Sequence, residues 1–92
     1  MAVQITTLEN GLRIASDPMV DLETAAVGVW VDVGARNEDA DQNGISHVLE
    51  HMAFKGTERR NALQIAEEIE AVGGHLNAYT SREQTAYFAR IL

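Results

Sequence analysis

His47, Glu50 and His51 are the residues of this chain whose types and spacing can do chemistry. On an α-helix each residue advances about 100°. Positions four apart therefore stand one above the other on a single face, and a position three along projects beside them. Two imidazoles on one face suit a divalent metal, because each offers a ring nitrogen that binds zinc at about 2.0–2.1 Å. A neighbouring carboxylate need not be a ligand. It can take a proton from an activated water and pass it on. The predicted chemistry is metal-assisted hydrolysis, with His47 and His51 as metal ligands, Glu50 as catalytic base and Zn²⁺ as cofactor. The plainer alternative is a surface helix with two solvated histidines and a glutamate.

The pattern His-x-x-Glu-His is the inverzincin arrangement, and composition fits it. The chain has 92 residues and no cysteine. A thiolate zinc site and a disulfide framework are thereby excluded, and any metal must be held by His, Asp or Glu. A net charge of −7 argues against a nucleic-acid partner, which needs clustered Lys and Arg. No apolar run approaches the roughly 20 residues of a membrane span, so no membrane partner is expected. The first eight residues show neither a charged-then-apolar signal layout nor an Arg-rich presequence, which gives a cytoplasmic, bacterial location as the expectation. Hydrophobic residues make up 46% of the chain, enough to predict a buried core in one small domain.

The elements that must position the motif follow from periodicity. Residues 2–8 and 12–15 alternate around Asn10-Gly11, a strong hairpin signal because both residues tolerate positive φ. Residues 24–33 put Val27, Val29, Val31 and Val33 on one face and Ala26, Gly28, Trp30 and Asp32 on the other. That predicts a central strand covered on both sides, with Trp30 packed in a core or interface. Residues 34–43 are charged and polar, a loop at the carboxyl end of a strand. The motif helix is predicted over 44–54, capped by Asn43 and stopped by Gly56. Its apolar residues Ile45, Val48, Leu49 and Met52 should hold the sheet while the motif face turns to a cleft. A second helix opens with an Asn61/Gln64 capping box and carries a core stripe of Ala62, Ile65, Ala66, Ile69 and Val72. Its Glu67, Glu68 and Glu70 read as a solvated face, and Gly73-Gly74 close it. Two strands, 75–81 and 85–92, complete the order. The last is apolar and ends without a turn, so residues 1–92 are expected to be part of a larger domain. The fold class is α+β, a mixed and largely antiparallel sheet with helices packed on one face.

Several segments in this order resemble one family. They are Asn10-Gly11-Leu12-Arg13, Gly34-Ala35-Arg36-Asn37-Glu38, the block from Gly44 through His47-Val48-Leu49-Glu50-His51 to Thr57, and the block from His75 through Asn77-Ala78-Tyr79-Thr80-Ser81 to Thr85. Together they make the chain similar to the N-terminal part of the M16 metallopeptidases, the pitrilysin/insulinase group. Within that group it looks most like the β-subunit branch of the mitochondrial processing peptidases and its bacterial relatives. The resemblance implies a zinc endopeptidase acting on extended peptides, with His47 and His51 on the metal and Glu50 as base. It also implies repeated α+β domains closing around a peptide or unfolded polypeptide that adds as an extra strand to the edge formed by residues 75–81. Asn77, Ala78 and Tyr79 are then substrate contacts. Phe54, one turn past His51, is a wall for the residue after the cut. The family's third zinc ligand is a glutamate that falls beyond Leu92. His75 and Glu83 do not match its position, so the 92 residues alone are expected to be inactive. Implied partners are the rest of a parent chain and a homo- or hetero-dimer mate. A non-catalytic assembly subunit or a zinc-binding interaction domain of the same family is the competing reading.

Overall fold

Glu9, Asn10 and Gly11 turn the first strand, β1 (Gln4–Thr7), back onto β2 (Arg13–Ser16) in the computed structural model, which describes residues 2–92. The Leu8 N–H donates to the Leu12 carbonyl at 2.8 Å, and the Leu12 N–H donates to Asn10 Oδ1 at 3.0 Å. Of the predicted pair only Gly11 takes a positive φ, +91°. The connection is thus a three-residue loop rather than a two-residue turn, and one left-handed residue suffices to close it.

The main sheet has three antiparallel strands in the order β3 (Ala25–Val31), β5 (Thr85–Ile91), β4 (His75–Thr80). The prediction of a central β3 is therefore corrected: β5 lies between the other two, and β3 is an edge. Apolar content ranked β3 highest, but sheet position is decided by which strand finds hydrogen-bonding partners on both sides. Val27 and Val29 are more than half exposed. Trp30, expected in a core or an interface, is 61% exposed and lies back over Gly28, where a Cβ would collide with its ring. Among the described residues the only buried hydrophobic residue is Ala86, opposite Trp30 and Tyr79 in its two neighbouring strands. The expected core is accordingly not assembled by these residues. Their radius of gyration, 15.7 Å, exceeds the about 12 Å of a compact chain this long.

Both helices lie against β4, as predicted for helices on one face. The second, α2 (Ala62–Ala71), carries the full capping box: Asn61 Oδ1 accepts from the Gln64 N–H and Gln64 Oε1 from the Asn61 N–H, each at 2.8 Å. Ile65 and Ile69 are the half-buried part of its stripe and share a groove with Leu76 of β4. Gly73, at φ +67°, ends the helix, and the Gly74 N–H returns to the Ile69 carbonyl at 2.9 Å. Glu68, read as solvated, pairs with Arg60.

The motif helix α1 (Ile45–Met52) departs from expectation at both ends and in its orientation. Asn43 is not its cap. Gly44 occupies that position at φ +92°, and the orphan N–H groups of Gly44 and Ser46 donate to the two carboxylate oxygens of Glu38, at 2.8 and 2.7 Å. Gly56 does not stop it directly. The helix first tightens, with the N–H of Phe54 and Lys55 reaching back three residues to His51 and Met52. Ile45, Val48, Leu49 and Met52 are all more than half exposed, while Ser46 is buried and Glu50 and Phe54 are half-buried. The less exposed stripe is therefore 46–50–54, a polar start and an aromatic end, and not the apolar stripe that sequence periodicity favoured. The Glu38 clamp and a hydrogen bond from the sheet to Glu50 set this rotation.

Two measurements check these local causes. Asn61→Ala removes the acceptor of the Gln64 N–H and should cost about 1 kcal/mol in urea unfolding, with Asn61→Gly costing only a few tenths. Equal stability of all three proteins would contradict the box. For Glu38, the Ser46 N–H, then the Gly44 N–H, then the Ser46 hydroxyl hold the carboxyl pKa below its usual 4.5, against a small opposing desolvation. A carboxyl group with a depressed folded-state pKa contributes stability that is present above the unfolded value and is lost as pH falls through the folded one. The stability gap between the native protein and Glu38→Gln should therefore be full at pH 7 and shrink below about pH 4.5. A gap that stays constant or widens on acidification would contradict the clamp.

Candidate active site

Two side chains of one short helix, those of His47 and Glu50, and the end of one strand converge on an open cleft. Its volume is about 620 Å³, and its lining includes Glu38, Gly44, His47, Glu50, Thr80 and Arg82. The floor is the turn between β4 and β5, which is strapped to the loop before α1. The Ala35 N–H donates to the Ser81 carbonyl at 3.0 Å and the Arg36 N–H to the Arg82 carbonyl at 2.8 Å. Gly34 makes this approach possible, since any Cβ there would strike the Ser81 carbonyl. Asn37 Oδ1 takes the Gly34 N–H at 3.0 Å, and the Arg36 guanidinium pairs with Glu83. The turn itself is closed by Ser81, whose N–H and hydroxyl both donate to the Gln84 carbonyl. Below it, the Thr85 hydroxyl donates to the Val33 carbonyl at 2.8 Å, joining the segment after β3 to the start of β5.

On this frame the helix presents His47 and His51 together, as their spacing predicts. The ring centroids are 5.3 Å apart with the planes tilted by 55°. A tetrahedral zinc holding one nitrogen of each ring on the outward axis needs centroids about 5 Å apart. The pair fits that demand, and both rings are exposed. His47 and His51 could therefore supply two ligands. Among the described residues, no group of three His, Cys, Asp or Glu is placed to hold a metal ion. Glu83 is engaged with Arg36, and His75 stands at the opposite end of β4 from Thr80, five residues or about 16 Å along the strand.

Glu50 is the half-buried member of the motif. Its Oε2 accepts a 2.8 Å hydrogen bond from the hydroxyl of Thr80, thirty residues later in the chain. Sequence reading singled out neither Thr80 nor Glu38. The Glu38 bonds span six and eight residues through a loop, with no fixed period to betray them. For Thr80 one signal existed: in the predicted strand Leu76, Ala78 and Thr80 alternate with Asn77 and Tyr79 and so share a face, and α1 lies against this strand.

His51 and the remaining predicted residues lie outside the cleft lining. Phe54 sits in the turn after α1, one turn past His51 and half-buried. Asn77, Ala78 and Tyr79 are on β4, which pairs with β5 on one side and is an edge of the sheet on the other. The Ala78 N–H donates to Asn77 Oδ1 at 2.8 Å. The Tyr79 ring meets Phe88 edge-on, with centroids 6.3 Å apart. That contact is ordinary cross-strand packing.

Comparison with known proteins places this geometry. Residues 13–92 match the family model described as insulinase, peptidase family M16. The chain is 57% identical over 89 residues to the probable mitochondrial-processing peptidase subunit beta of Arabidopsis thaliana, covering 97% of this chain and 17% of that protein. It is 58% identical over 87 residues to the mitochondrial-processing peptidase subunit beta of Mus musculus, covering 95% and 18%. Its fold superposes on the crystal structure of a protease from Helicobacter pylori with a TM-score of 0.85 at 36% identity, over 98% of this chain and 22% of that one. The chain thus spans less than a fifth of the length of these curated relatives. The expectation of a cytoplasmic bacterial location is overturned by relatives that are mitochondrial-processing peptidase subunits. The reason is physical: an address is carried by a targeting segment, and the composition of a folded segment does not encode it. No described helix is long and apolar enough to cross a membrane. The chain belongs to peptidase family M16 and is related to the mitochondrial-processing peptidase β subunits.

Proposed function

We propose that these residues form the N-terminal part of an M16 N-terminal domain and carry the catalytic helix of a zinc endopeptidase acting on extended peptides. The observation that carries the reading is the joint placement of His47 and His51, ring to ring at zinc-compatible spacing, beside a Glu50 carboxylate that lines a cleft together with His47. The exposed apolar residues of α1 and β3 support a longer chain, because such faces are normally covered.

His47 and His51 would hold the zinc, with a third ligand supplied from outside these residues. Zinc, when bound, supplies Lewis acidity that makes a water nucleophilic near neutral pH. Glu50 accepts the proton of that water at Oε1, since Oε2 is committed to the Thr80 hydroxyl, and returns it to the leaving amine. The open edge of β4 offers backbone groups to an extended peptide, which reads the main chain and leaves selectivity to side-chain pockets. At Ala78 the incoming strand displaces the Asn77 side-chain oxygen from the N–H it now occupies. Phe54 and the exposed side of Tyr79 are the proposed walls beside that strand. The partners are an unfolded or peptide substrate and the remainder of the parent chain, in a homo- or hetero-dimer.

In the full-length protein, Glu50→Gln should lower kcat on a fluorogenic peptide by at least about 100-fold while zinc content by atomic absorption stays near one per site. His47→Ala or His51→Ala should lose the zinc itself. Undiminished turnover by Glu50→Gln, or undiminished zinc in both histidine variants, would refute the assignment.

A further inference from the structure

We infer that Thr80 is a positioning residue for Glu50, and that its hydroxyl, not its bulk, is what the reaction needs. The inference rests on the reading of Glu50 as the proton carrier.

Three observations converge on it. First, the Thr80 hydroxyl reaches Glu50 Oε2 at 2.8 Å, and among the described residues this is the hydrogen bond that holds the carboxylate. Glutamate has three rotatable side-chain bonds, so on an otherwise exposed helix its carboxylate would sample many positions. A donor on one oxygen removes that freedom and leaves the other oxygen for the proton.

Second, the donor is itself held. Thr80 is half-buried, is β-branched and therefore stiff at χ1, and ends a strand whose partner across the ladder is the buried Thr85. The next residue, Ser81, receives the Ala35 N–H through its carbonyl and closes the turn to Gln84. The same loop that accepts this turn also carries Glu38, which grips the amino end of α1. Helix and strand are thus referenced to one frame, and the Thr80 hydroxyl is the point where they meet at the motif.

Third, the arrangement sorts the motif's two side-chain types. His47 and His51 are exposed with their ring centroids 5.3 Å apart, whereas Glu50 is half-buried and tethered to the sheet. A carboxylate drawn toward β4 is held to its role as base and away from a ligand's role. A hydrogen bond to the outer part of such a site commonly changes rate by about 10- to 100-fold when lost.

The experiment compares full-length Thr80→Val, Thr80→Ala and Thr80→Ser with the native protein and with Glu50→Gln. Val keeps the shape and suits a strand, Ala is a second hydroxyl-free variant should Val disturb folding, and Ser restores the donor. The expected result is a kcat lowered about 10- to 100-fold in Val and Ala with KM and zinc content unchanged, and a Ser variant within about threefold of native. Crystal structures of the zinc-free variants should show the Glu50 carboxylate displaced in Val and Ala and in place in Ser. A folded hydroxyl-free variant with native kcat, a Ser variant as slow as Val, or a Glu50 carboxylate unmoved in Val would each overturn the inference while Glu50→Gln remains inactive. Full turnover by Glu50→Gln would overturn the peptidase reading and this inference together.

Discussion

The carboxylate of Glu38 grips the amino end of α1 through the N–H groups of Gly44 and Ser46, and the position of every motif residue depends on that grip. The helix has only eight residues, too few to be stable in water by propensity alone. It persists because its start is fixed to a loop, and the loop is fixed by backbone bonds to the β4–β5 turn. With the axis set in this way, rotation about it is decided by what meets β4. Glu50 does so through the Thr80 hydroxyl, and the histidines are left exposed. A polar contact between helix and sheet thus outranks the apolar face of the same helix in orienting it.

The sheet contributes in the same manner. β5 supplies the pairing on which both neighbours rest, which leaves β4 with one side against β5 and the other free. One face carries Thr80 to the helix, and its outer edge is unpaired. A strand with these two duties joins the proposed chemistry to the proposed recognition of an extended chain, because moving β4 would move the tether of Glu50 and the edge together. The glycines at 34 and 44 serve close approach and a left-handed turn at the two places where this frame is tightest.

What could be read from sequence was what repeats locally. The four-residue spacing of His47 and His51 and the Asn61/Gln64 box are periodic or contiguous, and both formed as expected. The antiparallel α+β layout followed from alternation and turn chemistry, and the helices lie on one face of the sheet. Long-range polar bonds were not readable. Asn43 looked like a cap because it is adjacent to the helix, yet the acceptor that serves is Glu38, brought in by a loop of two tight turns. β3 looked central because valine fills one of its faces, yet hydrogen-bond pairing gave the centre to β5. The same limit hid Thr80: its partner lies thirty residues away, and only the fold brings them together.

The account's central claim is that one turn of α1 offers two imidazole nitrogens to a single metal while Glu50 stays off it. Anomalous diffraction at the zinc edge on crystals of the full-length protein tests this most directly. The account predicts one peak within about 2.1 Å of a nitrogen of both His47 and His51, with the Glu50 carboxylate outside bonding distance. A peak bound to only one of the rings, or a zinc ligated by Glu50, would contradict it.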